Sequence, residues 1–103
     1  MRREKHRITR PLLDHVLLEE VVRGLVARPE CVRVDSTQVH ATTNHLVIHV
    51  APDDRGKVIG KQGKTIDSIR AIFMAIASLR GHRIFIEVDE PDRGVVPRGY
   101  GPA

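Results

Sequence analysis

The chain is short, basic and poor in aromatic residues. Of its 103 residues 41% are hydrophobic, which is enough for one small domain with a single core. Seventeen Lys and Arg against 13 Asp and Glu give a net charge of +4, a balance that favours a phosphate-bearing partner. Cys31 is the only cysteine, so an intramolecular disulfide is excluded. No apolar run has the length of a membrane span and no secretion signal is legible, so we expect a soluble cytoplasmic protein.

The first part of the chain predicts a basic arm followed by a helix. Residues 1–10 are charged and predict a flexible arm, either a solvated tail or a contact to nucleic acid. From Pro11, apolar residues recur at helical spacing until Pro29 marks the stop, with Gly24 inside the helix. The expected core face is Leu13, Leu17, Leu18, Val21, Val22, Leu25 and Val26. The expected polar side is Asp14, Glu19, Glu20 and Arg23.

A change to period two after residue 30 predicts a pair of strands. Apolar residues alternate with polar ones over residues 32–35 and again over 46–50, with turn-forming residues at 41–44. We therefore expect an antiparallel hairpin with one face on the core. Asp53 or Asp54 is then expected to cap a short helix that ends near Ile59.

A second long helix is predicted from Lys64 to Arg80, stopped by Gly81. Its broad apolar arc consists of Ile66, Ile69, Ile72, Phe73, Ile76, Ala77 and Leu79. Opposite this arc lie four small residues, Ser68, Ala71, Ala75 and Ser78. They indicate either a homodimer contact or an exposed face of good helix formers.

A third strand is predicted at residues 83–88, again with one apolar face inward. After Asp89 the composition changes to proline and glycine, so we expect residues 90–103 to be a flexible tail. Arg93, Arg98 and Tyr100 could contact nucleic acid, but the composition favours simple disorder.

The stretch at residues 58–64, Val-Ile-Gly-Lys-Gln-Gly-Lys, carries the clearest functional signal. Gly60 and Gly63 allow positive φ angles and close approach of a ligand to the backbone. The following helix directs its unpaired N–H groups and its positive dipole end into the same turn. Three cations surround it, namely Lys57, Lys61 and Lys64. The stretch therefore predicts an anion site, most simply for a phosphate.

Other chemistries fit the sequence less well. A nucleotide-binding P-loop would need glycine where Val58 stands, and a glycine turn without a ligand is the remaining simple alternative. Six histidines invite a metal site: His6, His15, His40, His45, His49 and His82. Only His45 and His49 would share a strand face, and no cysteine or carboxylate set completes a site, so we expect no metal and no cofactor. The sequence shows no recognisable pairing of a catalytic nucleophile with a general base, so we do not expect an enzyme.

With these elements in place, the chain resembles a type II KH domain, and more closely the KhpA family of small bacterial stand-alone KH proteins. The resemblance rests on residues 17–26 with Pro29, on 32–34, on the run 50–64, on Ile69 and Arg70, and on 84–88. It covers residues 17–89, and both ends are longer than the family usually carries. It implies an α+β fold in the order α-β-β-α-α-β, with a three-stranded mixed sheet packed on helices over residues 11–89.

The resemblance also implies a function, which is binding of single-stranded RNA. Its backbone would be held by Gly60, Lys61, Gln62 and Gly63, with phosphate contacts from Lys57 and Lys64. Bases would lie in an aliphatic groove lined by Val58, Ile59, Ile66, Ile84 and Ile86. The family further implies self-association or pairing with a second KH protein of the KhpB (Jag) type. Its roles lie in post-transcriptional control or RNA chaperoning linked to cell shape or division. Two rivals remain open, a protein-interaction scaffold in which RNA is secondary and a ribosome-biogenesis factor.

Overall fold

The computed structural model describes residues 13–90. Its helices and strands are α1 Leu13–Arg23, β1 Arg33–His40, β2 Thr43–His49, α2 Arg55–Ile59, α3 Lys64–Leu79 and β3 Arg83–Val88. Short 3₁₀ turns occupy Pro29–Cys31, Pro52–Asp54 and Lys61–Gly63. The basic arm, the proline and glycine tail, and with them Arg93, Arg98 and Tyr100, lie outside the described residues.

The three strands form one mixed sheet in the order β1-β2-β3. β1 pairs antiparallel with β2, with Val34 opposite Ile48, and β2 pairs parallel with β3, with Leu46 opposite Ile86. These four side chains are buried, so the sheet presents one apolar face to the helices. The predicted α+β architecture of the type II KH kind is confirmed.

The core lies between this face and the three helices. Its buried side chains come from every element: Leu18 and Val22 of α1, Val34, Leu46, Ile48, Ile84 and Ile86 of the sheet, Val58 of α2, and Ile66, Ile69, Phe73 and Ala77 of α3. The opposite sheet face has no helix over it among residues 13–90, and β3 is an edge strand. Both features leave β3 accessible beside α3.

Helix α1 turns only part of the predicted face to the core: Leu18 and Val22 are buried as expected. Asp14, expected on the polar side, is only 3% exposed and shares a stripe with Leu18 and Val22. Its carboxylate accepts a hydrogen bond of 3.0 Å from Nη1 of Arg80 at the end of α3, and this pairing makes its burial possible. The neighbouring stripe, expected in the core, is exposed at Leu17, Val21 and Leu25.

The end of α1 also differs from the prediction. The helix stops at Arg23, so Gly24 lies just beyond it rather than within it. Among the described residues, a Cβ on Gly24 would meet only the carbonyl oxygens of Val21 and Glu20, so no other segment within residues 13–90 approaches this position.

The apolar arc of α3 is narrower than predicted. Ile66, Ile69, Phe73 and Ala77 are buried as expected, but Ile72 is 59% and Leu79 is 89% exposed. Three strands cover only part of a helix circumference, so side chains at the margin of a broad arc remain uncovered. The exposed margin adjoins the small residues on the far side of α3.

Candidate nucleic-acid interface

A tight turn joins α2 to α3. α2 ends at Ile59, the 3₁₀ turn Lys61–Gly63 follows, and α3 begins at Lys64. The amide of Gly63 donates a hydrogen bond of 3.0 Å to the carbonyl of Gly60, which closes the turn. The four residues 60–63 therefore form a compact loop at the amino end of a 16-residue helix.

Three of these residues have positive φ angles: Gly60 at 81°, Gln62 at 57° and Gly63 at 76°. A Cβ on Gly60 would overlap the side chain of Thr65, so this position needs glycine for space as well as for conformation. Gln62 adopts the left-handed region without being glycine, a conformation that the surrounding fold must support. The loop backbone is thus held in a left-handed conformation that residues other than glycine rarely adopt.

Two of the three predicted lysines are available to an anion. Lys61 and Lys64 are exposed, and neither forms an ion pair with any residue from 13 to 90. Lys57 instead lies 3.1 Å from Oδ1 of Asp54. The positive charge at the loop therefore comes from Lys61, Lys64 and the dipole of α3.

Asp54 does not cap the short helix, as the sequence had suggested. No side chain caps α2, and the Asp54 carboxylate is buried, accepting backbone hydrogen bonds from Ala27 at 3.1 Å and Arg28 at 3.0 Å. The Ala27 amide, together with Lys57 and Arg28, lowers the pKa of this carboxyl against the opposing effect of burial. Asp54 thus ties the helix before the loop to the segment between α1 and β1.

A groove runs between α3, the helix that follows the loop, and the free edge of β3. One section of about 270 Å³ is lined by Arg70, Met74, Ile84, Phe85, Ile86 and Glu87. A second section of about 300 Å³ is lined by Met74, Ser78, His82, Arg83, Ile84 and Phe85. Met74, Ile84 and Phe85 border both, so the two sections are continuous.

The free edge of β3 supplies backbone groups to this groove. The amides of Arg83 and Asp89 both donate 2.8 Å hydrogen bonds to the β2 side of the sheet, so alternate residues between them also face β2. The backbone groups of Ile84 and Ile86 therefore point to the open edge. Nε of Arg70 donates to the Ile86 carbonyl at 3.1 Å, which links α3 to this edge.

The predicted groove residues occupy two different environments. Val58 and Ile66 lie in the core, at 0% and 5% exposure, and Ile59 packs against that core. Ile84 and Ile86 are also largely buried, yet both line the groove.

Sequence reasoning missed the residues that give the groove its exposed surface: Arg70, Met74, Phe85 and Glu87. The available signal was the position of Met74 and Phe85 as large apolar residues on otherwise polar faces.

The four small residues of α3 are all exposed. Ser68, Ala71 and Ala75 lie beside the exposed Ile72 and Leu79, whereas Ser78 borders the groove. The far side of α3 therefore offers a mixed surface of small and large apolar side chains.

His45 and His49, the two histidines expected to share a strand face, are engaged by carboxylates rather than by each other. Nε2 of His45 lies 2.8 Å from Glu87, and His49 lies 2.8 Å from Asp35 and 3.0 Å from Asp89. Within residues 13–90 no group of three or more His, Cys, Asp or Glu side chains could hold a metal ion. Across the same range, no helix has the length and apolarity needed to cross a membrane.

Comparisons with known proteins agree with this geometry. A family model described as KhpA/KhpB, KH domain, matches residues 15–96. The RNA-binding protein KhpA of Chlamydia pneumoniae is 38% identical over 76 residues, 71% of this chain and 92% of that relative. The protein of the same name from Mycobacterium bovis is 39% identical over 77 residues, 74% of this chain and 90% of the relative. No solved structure matches. The chain therefore belongs to the KhpA/KhpB family of KH domains.

Proposed function

We propose that this chain is an RNA-binding protein that holds the backbone of single-stranded RNA at the loop of residues 60–63. The observation that carries the proposal is a pair of exposed lysines, Lys61 and Lys64, that form no ion pair within residues 13–90. They lie on a loop whose backbone only glycine can form at Gly60. The relatives from C. pneumoniae and M. bovis are named RNA-binding proteins, which supports the same assignment.

Binding at the loop is electrostatic and directed at phosphate. Phosphates approach the loop where glycines leave the backbone accessible and where α3 contributes its positive end. Lys61 and Lys64 neutralise the phosphate charge, while Lys57 keeps its partner Asp54 and serves mainly to position α2. Because few phosphates are neutralised, the affinity of one domain is modest and falls with salt.

Bases lie along the groove between α3 and β3. The outward backbone groups of Ile84 and Ile86 can pair with base edges, and the aliphatic walls exclude water from those hydrogen bonds. Arg70 occupies the Ile86 carbonyl and brings a guanidinium close to the base, so the groove favours bases with acceptor atoms at this point. Arg70 thus allows the site to discriminate between bases, which the glycine loop alone does not.

Such a site serves reversible binding in the cytoplasm, as a post-transcriptional regulator or an RNA chaperone. The KhpA/KhpB KH domains are a non-enzymatic family, and binding is sufficient for either role. The RNA sequence that is recognised would be set by the groove rather than by the loop.

A second candidate function is that of a dimerising scaffold in which RNA is secondary. The exposed Ile72 and Leu79, beside Ala71 and Ala75, form the apolar surface that favours it. A second copy of the chain, or a second KH protein of the KhpB type, would cover this surface.

The decisive test separates the loop from the helix surface. The double substitution Lys61→Asp/Gln62→Asp should abolish RNA binding in a protein that circular dichroism shows to be folded. If RNA binding persists while Ala75→Glu removes self-association and function, the scaffold replaces the clamp as the function.

A further inference from the structure

The groove has a distal section, farther along α3 from the glycine loop than Arg70. Its second section ends at Ser78 on α3 and at His82 and Arg83 before and at the start of β3. Ser78 lies 14 residues along α3 from Lys64, or about 21 Å at 1.5 Å per residue. A KH loop clamps about four nucleotides. No residue of the loop lines this end of the groove, so a nucleotide here would be held by the groove's own side chains.

Two large apolar side chains border this distal section and are half exposed. Met74 on α3 and Phe85 on β3 each have 54% of their surface accessible, although both border a groove. The other phenylalanine, Phe73, is 2% exposed in the core. Phe85 is therefore the one accessible Phe, Tyr or Trp ring among residues 13–90, and it stands at the free edge of the sheet, where a base leaving the groove would meet it.

Two polar side chains of the distal section, those of His82 and Arg83, also have groups without a partner among residues 13–90. The guanidinium of Arg83 is exposed and forms no ion pair or hydrogen bond with residues 13–90. Nε2 of His82, in the same wall, is buried and has no hydrogen-bond partner in the described part of the chain. A buried polar atom without a partner is unfavourable, and a base edge would satisfy it after a small movement of the ring.

We propose that this distal section is a second nucleotide subsite, which takes one RNA base between Met74 and Phe85 and the adjoining phosphate on Arg83. The inference rests on the proposed RNA-binding function and extends it by a nucleotide beyond the loop. Stacking on Phe85 accepts any base, because every base has a π face, so the subsite adds affinity and length preference rather than sequence specificity.

The test is a length series of labelled, randomised oligoribonucleotides of four, five, six and eight nucleotides, measured by fluorescence anisotropy. Wild type is compared with Phe85→Ala, with Phe85→Trp, which keeps a stacking surface, and with Arg83→Gln. Val39→Ala is the matched control, since Val39 is a similarly exposed apolar residue on β1, away from the groove. Circular dichroism establishes that each variant is folded.

For wild type we expect affinity to rise at least about fivefold when the RNA grows beyond four nucleotides, the gain of one stacked base. Arg83→Gln, which changes only the distal section, should lose this gain and keep the four-nucleotide affinity within about twofold. Phe85→Ala should also lose the gain, whereas Phe85→Trp and Val39→Ala should keep both the gain and the four-nucleotide affinity. An equal loss at every length, or no gain with length in wild type, would overturn the subsite.

Two other outcomes distinguish a failure of the subsite from a failure of the proposed RNA-binding function. If wild type binds no RNA of any length, the proposed function fails and the subsite fails with it. If Phe85→Ala changes the molecular mass in light scattering but leaves RNA affinity unaltered at all lengths, a protein covers this edge and the subsite alone is wrong.

Discussion

Gly60 lies directly against Thr65, so closely that the first turn of α3 occupies the space where a side chain at position 60 would begin. A Cβ there would come within 2.7 Å of the Thr65 backbone nitrogen and nearer still to its side chain. Backbone atoms cannot yield as the tip of a flexible side chain can. This contact fixes the loop relative to the helix that supplies its positive end.

Gly60→Ala should therefore lower the free energy of unfolding by more than about 2 kcal/mol, because strain at a positive φ angle is added to the clash with Thr65. Gly63→Ala should cost only about 1–2 kcal/mol, since its φ of 76° is unfavourable but nothing lies within 4 Å. Urea denaturation measures both. Gly56→Ala in α2, with open space and no positive φ, is the control and should be neutral or stabilising by up to about 1 kcal/mol. Equal effects at Gly60 and Gly56 would show that the loop does not need its glycine.

Asp54→Asn should lower Tm by several degrees at neutral pH, because an amide cannot accept both backbone hydrogen bonds and loses the ion pair with Lys57. The folded state lowers the pKa of Asp54, so its contribution to stability is complete above the unfolded value of about 3.9 and is lost as pH falls through the lower folded value. The Tm difference between the two proteins should therefore shrink below about pH 4. A difference that stays constant from pH 7 to pH 2.5 would contradict this role.

Lys61→Gln and Lys64→Gln should each reduce the salt dependence of RNA binding. For a single strand, the slope of log K against log salt is about −0.7 for each neutralised phosphate, so each substitution should make the slope shallower by about 0.7. Anisotropy titrations at four salt concentrations give these slopes. Lys57→Gln should change the slope less, because Asp54 already pairs with Lys57. An unaltered slope in both Lys61 and Lys64 variants would place the phosphate contacts elsewhere.

If two copies of the chain pair through the far side of α3, Ala75→Glu should convert the dimer to a monomer, because a charge would enter the apolar surface between Ile72 and Leu79. Light scattering measures the mass of the wild type and the variant at equal concentration. Val16→Glu on α1 is the control, since Val16 is also an exposed apolar residue. If wild type and Ala75→Glu have the same mass, this surface is not a dimer contact.

Local patterns predicted the elements well because they depend on near neighbours in sequence. The bounds of α3 and β3, the hairpin and the loop at Gly60 and Gly63 all follow from periodicity and glycine spacing. The position of Lys61 and Lys64 at the loop could likewise be predicted, since it follows from their place beside the glycines in the sequence. The ion pair of Lys57 could not be predicted in the same way, because its partner Asp54 is a buried residue held by the chain near Ala27.

The remaining discrepancies come from tertiary packing. Periodicity shows that a helix has an apolar arc but not how much of it another element will cover, so Leu17 and Ile72 were expected inside and are exposed. Asp14 was expected outside because its partner Arg80 is 66 residues away. Met74 and Phe85 gave no periodic signal, because a groove at a sheet edge exists only once α3 and β3 have packed together.

The most direct test of the central claim is RNA binding by Lys61→Asp/Gln62→Asp, measured by fluorescence anisotropy at two salt concentrations. Arg28→Asp/Thr37→Asp is the matched control, because both residues are exposed, lie outside the loop and change the net charge by the same amount. The clamp predicts that the loop variant loses binding at both salt concentrations, with an intact circular dichroism spectrum, while the control loses little. Equal binding of RNA by the two folded variants would contradict the claim that the loop of residues 60–63 binds the RNA backbone.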